Sequence, residues 1–425
     1  MDLAAIEEGV ALGLWPPRTR GGLDPRRPGE LAERLERFRR VFVREIGSRT
    51  GGLILLDLRP VRARFGERWA EQRGKVLAIV EGALAHELDE EELYLVADET
   101  TVWVFALEGE PAALRLRGEE LAALAGERLF GTVSASAAVR VRVLPFDLDE
   151  GLRGIVGLGG LRERMERQRG RLQAAEADAF AARAGELVVR YRPILSLKLG
   201  AIVAYRAFAR LPVAGGGWAR PETVCPEAFT GTFEAELDRW LAERVADELE
   251  GPRLRSARAL LVLPVHHATL ATPAWRRPWR ERLEALGPAA LRRLGIELVD
   301  HDPRQHGAAL ESMLDLLVEV CAVPILRLPV EGAVESEPLE PLAEAGVKVL
   351  SFAASGLDGA DPGLVERLAA TARACTDAGL RSLLVRVDRV ALAEAARRAG
   401  FDYMAGDGCL PALAAPGPVT GAMAA

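Results

Sequence analysis

Two stretches of this sequence carry side chains able to do chemistry together. Glu297 lies in a short apolar run, and Asp300, His301, Asp302 and His306 follow it closely. His266 and His267 follow an earlier run of the same kind, Leu260 to Val265. If both runs are strands of one sheet, these imidazoles and carboxylates converge at one of its ends, and such groups are acceptable zinc ligands. Histidines on surface loops are the commoner case, and a helix between the two strands can separate the groups. Lys348 stands out for another reason: with Lys75 and Lys198 it makes up the whole lysine complement of a chain whose other basic residues are arginines. No GxSxG, HExxH, Walker or Rossmann motif is present.

These residues are positioned by repeated strand-then-helix units. Apolar runs at Ile202 to Ala207, Leu260 to Val265, Ile296 to Asp300, Pro324 to Leu328, Val347 to Phe352, Leu383 to Val387 and Tyr403 to Ala405 read as strands. Helical periodicity fills Leu237 to Leu249, Ala309 to Val320 and Leu364 to Ala378 between them. Such alternation predicts a parallel sheet, and about eight units predict a closed α/β barrel of TIM type over 186–415.

The first half reads differently. Residues 1–28, with Trp15-Pro16-Pro17 and Gly21-Gly22, read as an irregular leader. From Glu30 a stripe of Leu31, Leu35, Phe38, Phe42 and Ile46 runs against Arg34, Arg37, Arg40 and Arg44, which predicts an amphipathic helix with a basic face. A buried strand ending in Asp57, a helix through Val76, Ile79 and Leu84, a pair of strands from Leu93 to Leu107 and a last strand from Val139 to Val143 complete a small α/β domain over 29–150. The Arg- and Glu-rich 151–185 is read as a connector helix, either solvated or a short coiled coil with Gly170 inside it. Residues 416–425 are read as a flexible tail.

Composition bounds the setting. At 425 residues and 49% hydrophobic, the chain can bury two ordinary cores. A net charge of −7 argues against general nucleic-acid binding. No apolar run approaches the roughly 20 residues of a membrane span, and the N-terminus has no signal pattern, so a cytoplasmic location is expected. Cys225, Cys321, Cys375 and Cys409 form no CxxC pair and read as buried small residues.

The run from Tyr191 to Arg210 resembles the opening of the EAL domain family, bacterial hydrolases of cyclic di-GMP, whose pattern is roughly YxPIxxLxxGxxxGYEALLR. Asp402-Tyr403-Met404-Ala405-Gly406 is similar to the closing DYxQG, and Leu237-Asp238-Arg239-Trp240-Leu241 to the LDxWVL helix. Aligning ELTES with Glu297 to His301 and continuing without a gap puts the family's Asp-Asp pair at Arg327-Leu328 and its catalytic-site lysine at Lys348.

Carried over residue by residue, the resemblance implies a metal site without its ligands. Two cations about 3.5–4 Å apart need several oxygens. The family's naming glutamate is Arg206 here, the asparagine of VNLS is Pro264, the late glutamate of AEGVE is Val385, and the glutamine of QG is Ala405. Glu297 and Lys348 remain, with Arg210 at the substrate-contacting arginine. Arg206 and Arg327 would repel a divalent ion, and they are expected to pair with Glu297 and with Asp300. The family's flexible loop becomes Leu328 to Glu335 without its pattern, which removes the basis for its dimer mode.

Residues 30–148 resemble a GGDEF domain in element order, with Asp57 at a metal-binding aspartate and Asp98-Glu99-Thr100 where the signature glycines belong. An unrelated α/β sensor or dimerisation fold remains the alternative. The resulting expectation is a non-catalytic EAL-type protein with no cofactor and no metal, acting as a scaffold for a bacterial protein partner. The alternatives are a non-hydrolysing cyclic di-GMP receptor holding its ligand weakly through Arg206, Arg210, Arg327 and Lys348, and an active phosphodiesterase. A homodimer stays open.

Overall fold

The computed structural model describes residues 21–417 except 48–49, 132–138, 214, 225–229, 252–258, 302–307, 331–338, 356, 358–360 and 362. The expected leader before residue 21 and the expected tail after 417 lie outside the described residues. The chain divides into two compact units after Ala174.

The first unit contains α1 (Pro28–Ile46), β1 (Thr50–Asp57), α2 (Arg59–Phe65), α3 (Trp69–Glu87), β2 (Leu93–Asp98), β3 (Thr101–Phe105), α4 (Pro111–Phe130), β4 (Arg140–Asp147) and α5 (Leu148–Leu152). Its antiparallel sheet has the order β2-β3-β1-β4. Successive residues of a strand point to opposite faces. Ile54 and Leu56 pack with Val76, Val80, Leu114 and Leu121, while Leu53 packs with Leu31, Leu35, Phe38 and Phe42. Both faces are therefore covered by helices, which explains why β1 reads as a continuous apolar run instead of an alternation. The leader ends earlier than expected: Gly22 bridges Tyr94, and α1 starts at Pro28. α4 fills a stretch in which the sequence reading placed no element. Its stripe is thin because Gly118 sits where a Cβ would come within 2.5 Å of Val141, so small residues there bring the helix close to the sheet.

The helix α6 (Gly157–Ala184) contains the point of division. The second unit then runs β5 (Val188–Ser196), β6 (Ala201–Pro212), β7 (Trp218–Ala219), α7 (Thr232–Glu250), β8 (Leu260–His266), α8 (His267–Ala271), α9 (Pro273–Glu284), α10 (Pro288–Leu291), β9 (Leu294–Val299), α11 (Ala308–Val320), β10 (Val323–Leu328), α12 (Glu340–Glu344), β11 (Val349–Ala353), α13 (Leu364–Asp377), β12 (Arg381–Val385), α14 (Val390–Ala399) and β13 (Tyr403–Ala405).

Eight of these strands close a barrel in the order β5-β13-β12-β11-β10-β9-β8-β6, sealed by the β5–β6 pair, with β7 attached outside β6. It is a modified TIM-type barrel, which departs from the all-parallel sheet of the strand-helix alternation at β5. β5 runs antiparallel to both β6 and β13, because it turns back into β6 through a tight hairpin with Gly200 at φ 59 instead of a crossover helix. Inside the barrel, Ile194, Ala204, Val262, Ile325, Val349, Leu383, Val385 and Ala405 form an apolar plug. The main core lies between the outer barrel face and the helices, including Tyr205, Trp240, Leu263, Trp279, Leu298 and Phe352. No helix among the described residues is long and apolar enough to cross a membrane.

Candidate functional site

The site lies at the carboxyl ends of the parallel strands, directly above the apolar plug. Side chains two residues further along each strand point the same way. Arg206 thus stands above Ala204, Pro264 above Val262, Arg327 above Ile325, and Ser351 above Val349. Glu297 on β9 is in register with Pro264 of β8 on one side and Ile325 of β10 on the other. It is completely buried.

Three donors fill its carboxylate. Arg206 Nε donates to Oε2 at 2.5 Å, Ser351 Oγ donates to Oε1 at 2.6 Å, and Arg327 Nη2 donates to Oε1. Burial alone would raise the Glu297 carboxyl, but the Arg206 and Arg327 charges outweigh it and hold the group at about 2. For Arg327 burial dominates, and with Arg206 alongside it pushes the guanidinium below its ordinary value despite Glu297.

Lys348 does not join this group. It is exposed and precedes β11, which starts at Val349 and not at Val347. Its backbone N–H donates to the Pro324 carbonyl of β10. Ser351 is the β11 residue in register with Arg327. The cause is parity: Val349 and Ser351 point into the barrel, so Lys348, one residue before Val349, points the other way. Ser351 was recoverable from sequence as the β11 residue of the same inward parity, two beyond Val349. Val385 and Ala405 are buried neighbours in register, and Leu328 faces the outer core. Asp300 is not a partner of the arginines. It lies just beyond β9 at φ 55, and its Oδ2 is 3.6 Å from His266 Nε2.

The histidines also differ from a metal set. Asp238 of α7 accepts from the His266 backbone N–H and from Nδ1, both at 2.8 Å, and from Thr269 Oγ1 at 2.6 Å. Burial would lower the imidazole, yet Asp238 and then Asp300 raise it to about 9. His267 and His301 stack with ring centroids 5.5 Å apart. Asp302 and His306 lie outside the described residues, and no cluster of His, Cys, Asp or Glu that could hold a metal exists among those described.

A pair of divalent cations does not fit this mouth. Glu297 already accepts three hydrogen bonds, two of them from cations. Pro264, Leu328, Val385 and Ala405 present no side-chain oxygen. In the first unit Asp57 is similarly held: Arg59 Nε, Nη2 and the Arg59 backbone N–H all donate to it.

The chain belongs to the EAL domain family, whose model matches residues 173–412. Among solved structures, the Vibrio cholerae LapD S helix-GGDEF-EAL protein bound to c-di-GMP matches 95% of this chain and 97% of its own, at 12% identity and a TM-score of 0.59. That match shows the fold of both units, with the first in the GGDEF region. The Xanthomonas citri FimX EAL domain in complex with c-diGMP matches 60% of this chain and 97% of its own, at 19% identity and a TM-score of 0.46. No curated protein matches.

Proposed function

We propose that this chain is a non-hydrolysing EAL protein that regulates bacterial cyclic di-GMP signalling through protein contacts. The observation that carries this reading is the closed ion triplet at the barrel mouth. In a metal-dependent relative the carboxylates must stay open to cations and to a bridging water. Here the remaining carboxylate is saturated by Arg206, Arg327 and Ser351. Displacing them would strand two guanidiniums beside an incoming divalent ion.

The assay is turnover of cyclic di-GMP to the linear dinucleotide at high protein concentration with magnesium or manganese. No product is expected. Metal-dependent turnover that disappears in Glu297→Ala would sink the reading.

A receptor role is the second reading, favoured by one observation: Arg210 makes no ion pair among the described residues, and it donates a hydrogen bond to the adjoining Ala209 carbonyl. Calorimetry decides, since micromolar binding of cyclic di-GMP lost in Arg210→Ala would make the protein a receptor.

A further inference from the structure

Above the barrel rim, β5 and β6 continue as a ribbon to which β7 adds a third strand. Residues directly opposite across strands share a face. Arg192 pairs with Arg206, Arg190 with Phe208, and Trp218 with Pro212, so these side chains lie on the face that continues the barrel interior. They are interleaved: the Arg190 guanidinium lies 5.0 Å from the Trp218 ring, and Arg192 and Arg210 lie 5.4 and 4.6 Å from the Phe208 ring. Trp218 is nevertheless 49% exposed.

The charge on this face is not balanced. Arg192 is compensated by Asp388 and Asp407. Arg210 and Arg220 have no carboxylate within ion-pair distance among the described residues, and neither has Arg386, which follows β12 and donates to Ser355 Oγ. Burial, then Arg220, then other arginines push the Arg210 and Arg386 guanidiniums below their ordinary values, with Glu222 the nearby opposing acid for both and Asp388 for Arg386. Arg386 also adopts φ 58, a backbone region a long side chain adopts only at a cost. Like charges are therefore gathered, without a carboxylate in ion-pair contact with Arg210, Arg220 or Arg386 among the described residues, in a chain of net charge −7.

We infer that this ribbon is a docking surface for an extended, acidic segment of a partner protein, with Trp218 as its apolar anchor and Arg210 and Arg220 as its carboxylate contacts. Continuing the β6–β7 register sets Arg220 across from Arg210, so the two guanidiniums stand side by side for one carboxylate-bearing segment. Exposed Trp and Arg are the side chains that dominate protein interfaces energetically. The inference rests on the protein-contact reading above and names its surface.

Fluorescence polarisation of a labelled peptide of alternating glutamate and threonine against the full chain tests it. The peptide is expected to bind, to weaken as salt rises, and to lose about tenfold or more in affinity in Arg220→Gln and in Trp218→Ala. Both side chains are exposed, so the fold is retained, which circular dichroism checks. Equal affinity for a glutamine-threonine peptide, or affinity unchanged by both substitutions, would overturn the docking surface. So would micromolar binding of cyclic di-GMP that displaces the peptide and is lost in Arg220→Gln, because the arginines would then be nucleotide ligands. Turnover measured on the same protein separates the two levels: peptide failure without turnover removes this surface only, whereas metal-dependent turnover removes the non-hydrolytic role itself.

Discussion

Glu297 concentrates the physics of the site in one side chain. A carboxylate with no solvent exposure costs several kcal/mol to ionise unless it is paired, and here two guanidiniums and a hydroxyl pair it. Removing one member of such a buried group strands the others, at about 3–5 kcal/mol. Glu297→Gln is expected to lower the melting temperature far more than a surface change, and denaturant unfolding measures the difference. The acid limb follows by linkage. The folded carboxyl is held at about 2 against an ordinary value of 4.5, so its contribution is fully present above 4.5 and fades as pH falls towards 2. That contribution is about 3 kcal/mol, from the size of the shift. Wild type is expected to lose more stability across that window than Glu297→Gln; parallel curves for the two would refute the pairing.

At the scale of elements, Asp238 clamps α7 to the end of β8 through His266 and Thr269. His266 is raised from 6.5 to about 9, so this clamp is fully stabilising below 6.5 and lost as pH rises through 9. Thermal unfolding between those values should show a fall in stability that Asp238→Asn flattens. The junction beyond β12 and β13 depends on a different contact. A Cβ at Gly406 would lie 2.2 Å from the Val387 carbonyl oxygen, where no flexible side chain can yield. Gly406→Ala is expected to destabilise the second unit by several kcal/mol, visible as a lowered denaturant midpoint with unchanged stability in Gly400→Asn, where nothing lies within 4 Å and the φ of 82 suits asparagine.

For the whole molecule, the first unit is an antiparallel sheet covered on both faces and the second a closed mixed barrel. A ligand stabilises only the state that binds it. Because neither Asp57 nor Glu297 is open to a cation, added magnesium is expected to leave the melting temperature unchanged. A clear rise in wild type, absent in Glu297→Gln, would show that the barrel holds metal after all.

The sequence by itself carried the local information. Short motifs around Tyr191 to Arg210 and Asp402 to Gly406 resemble the family, and residue identity supplies the two cations, Arg206 and Arg327, that pair with Glu297. Helix and strand runs were legible where one face is apolar, as in α1, or both are, as in β8. The rest depended on contacts distant in the chain. β5 escaped notice as a strand, since Arg190, Arg192 and Pro193 interrupt its apolar pattern, and its antiparallel course is fixed by pairing with β6 and β13. Ser351 and not Lys348 meets Glu297 because only Val349 and Ser351 of β11 point into the barrel, a parity that pairing with β10 fixes. The gathered arginines around Trp218 emerge only once β5, β6, β7 and the end of β12 meet, because charge balance is a property of what surrounds a group in space.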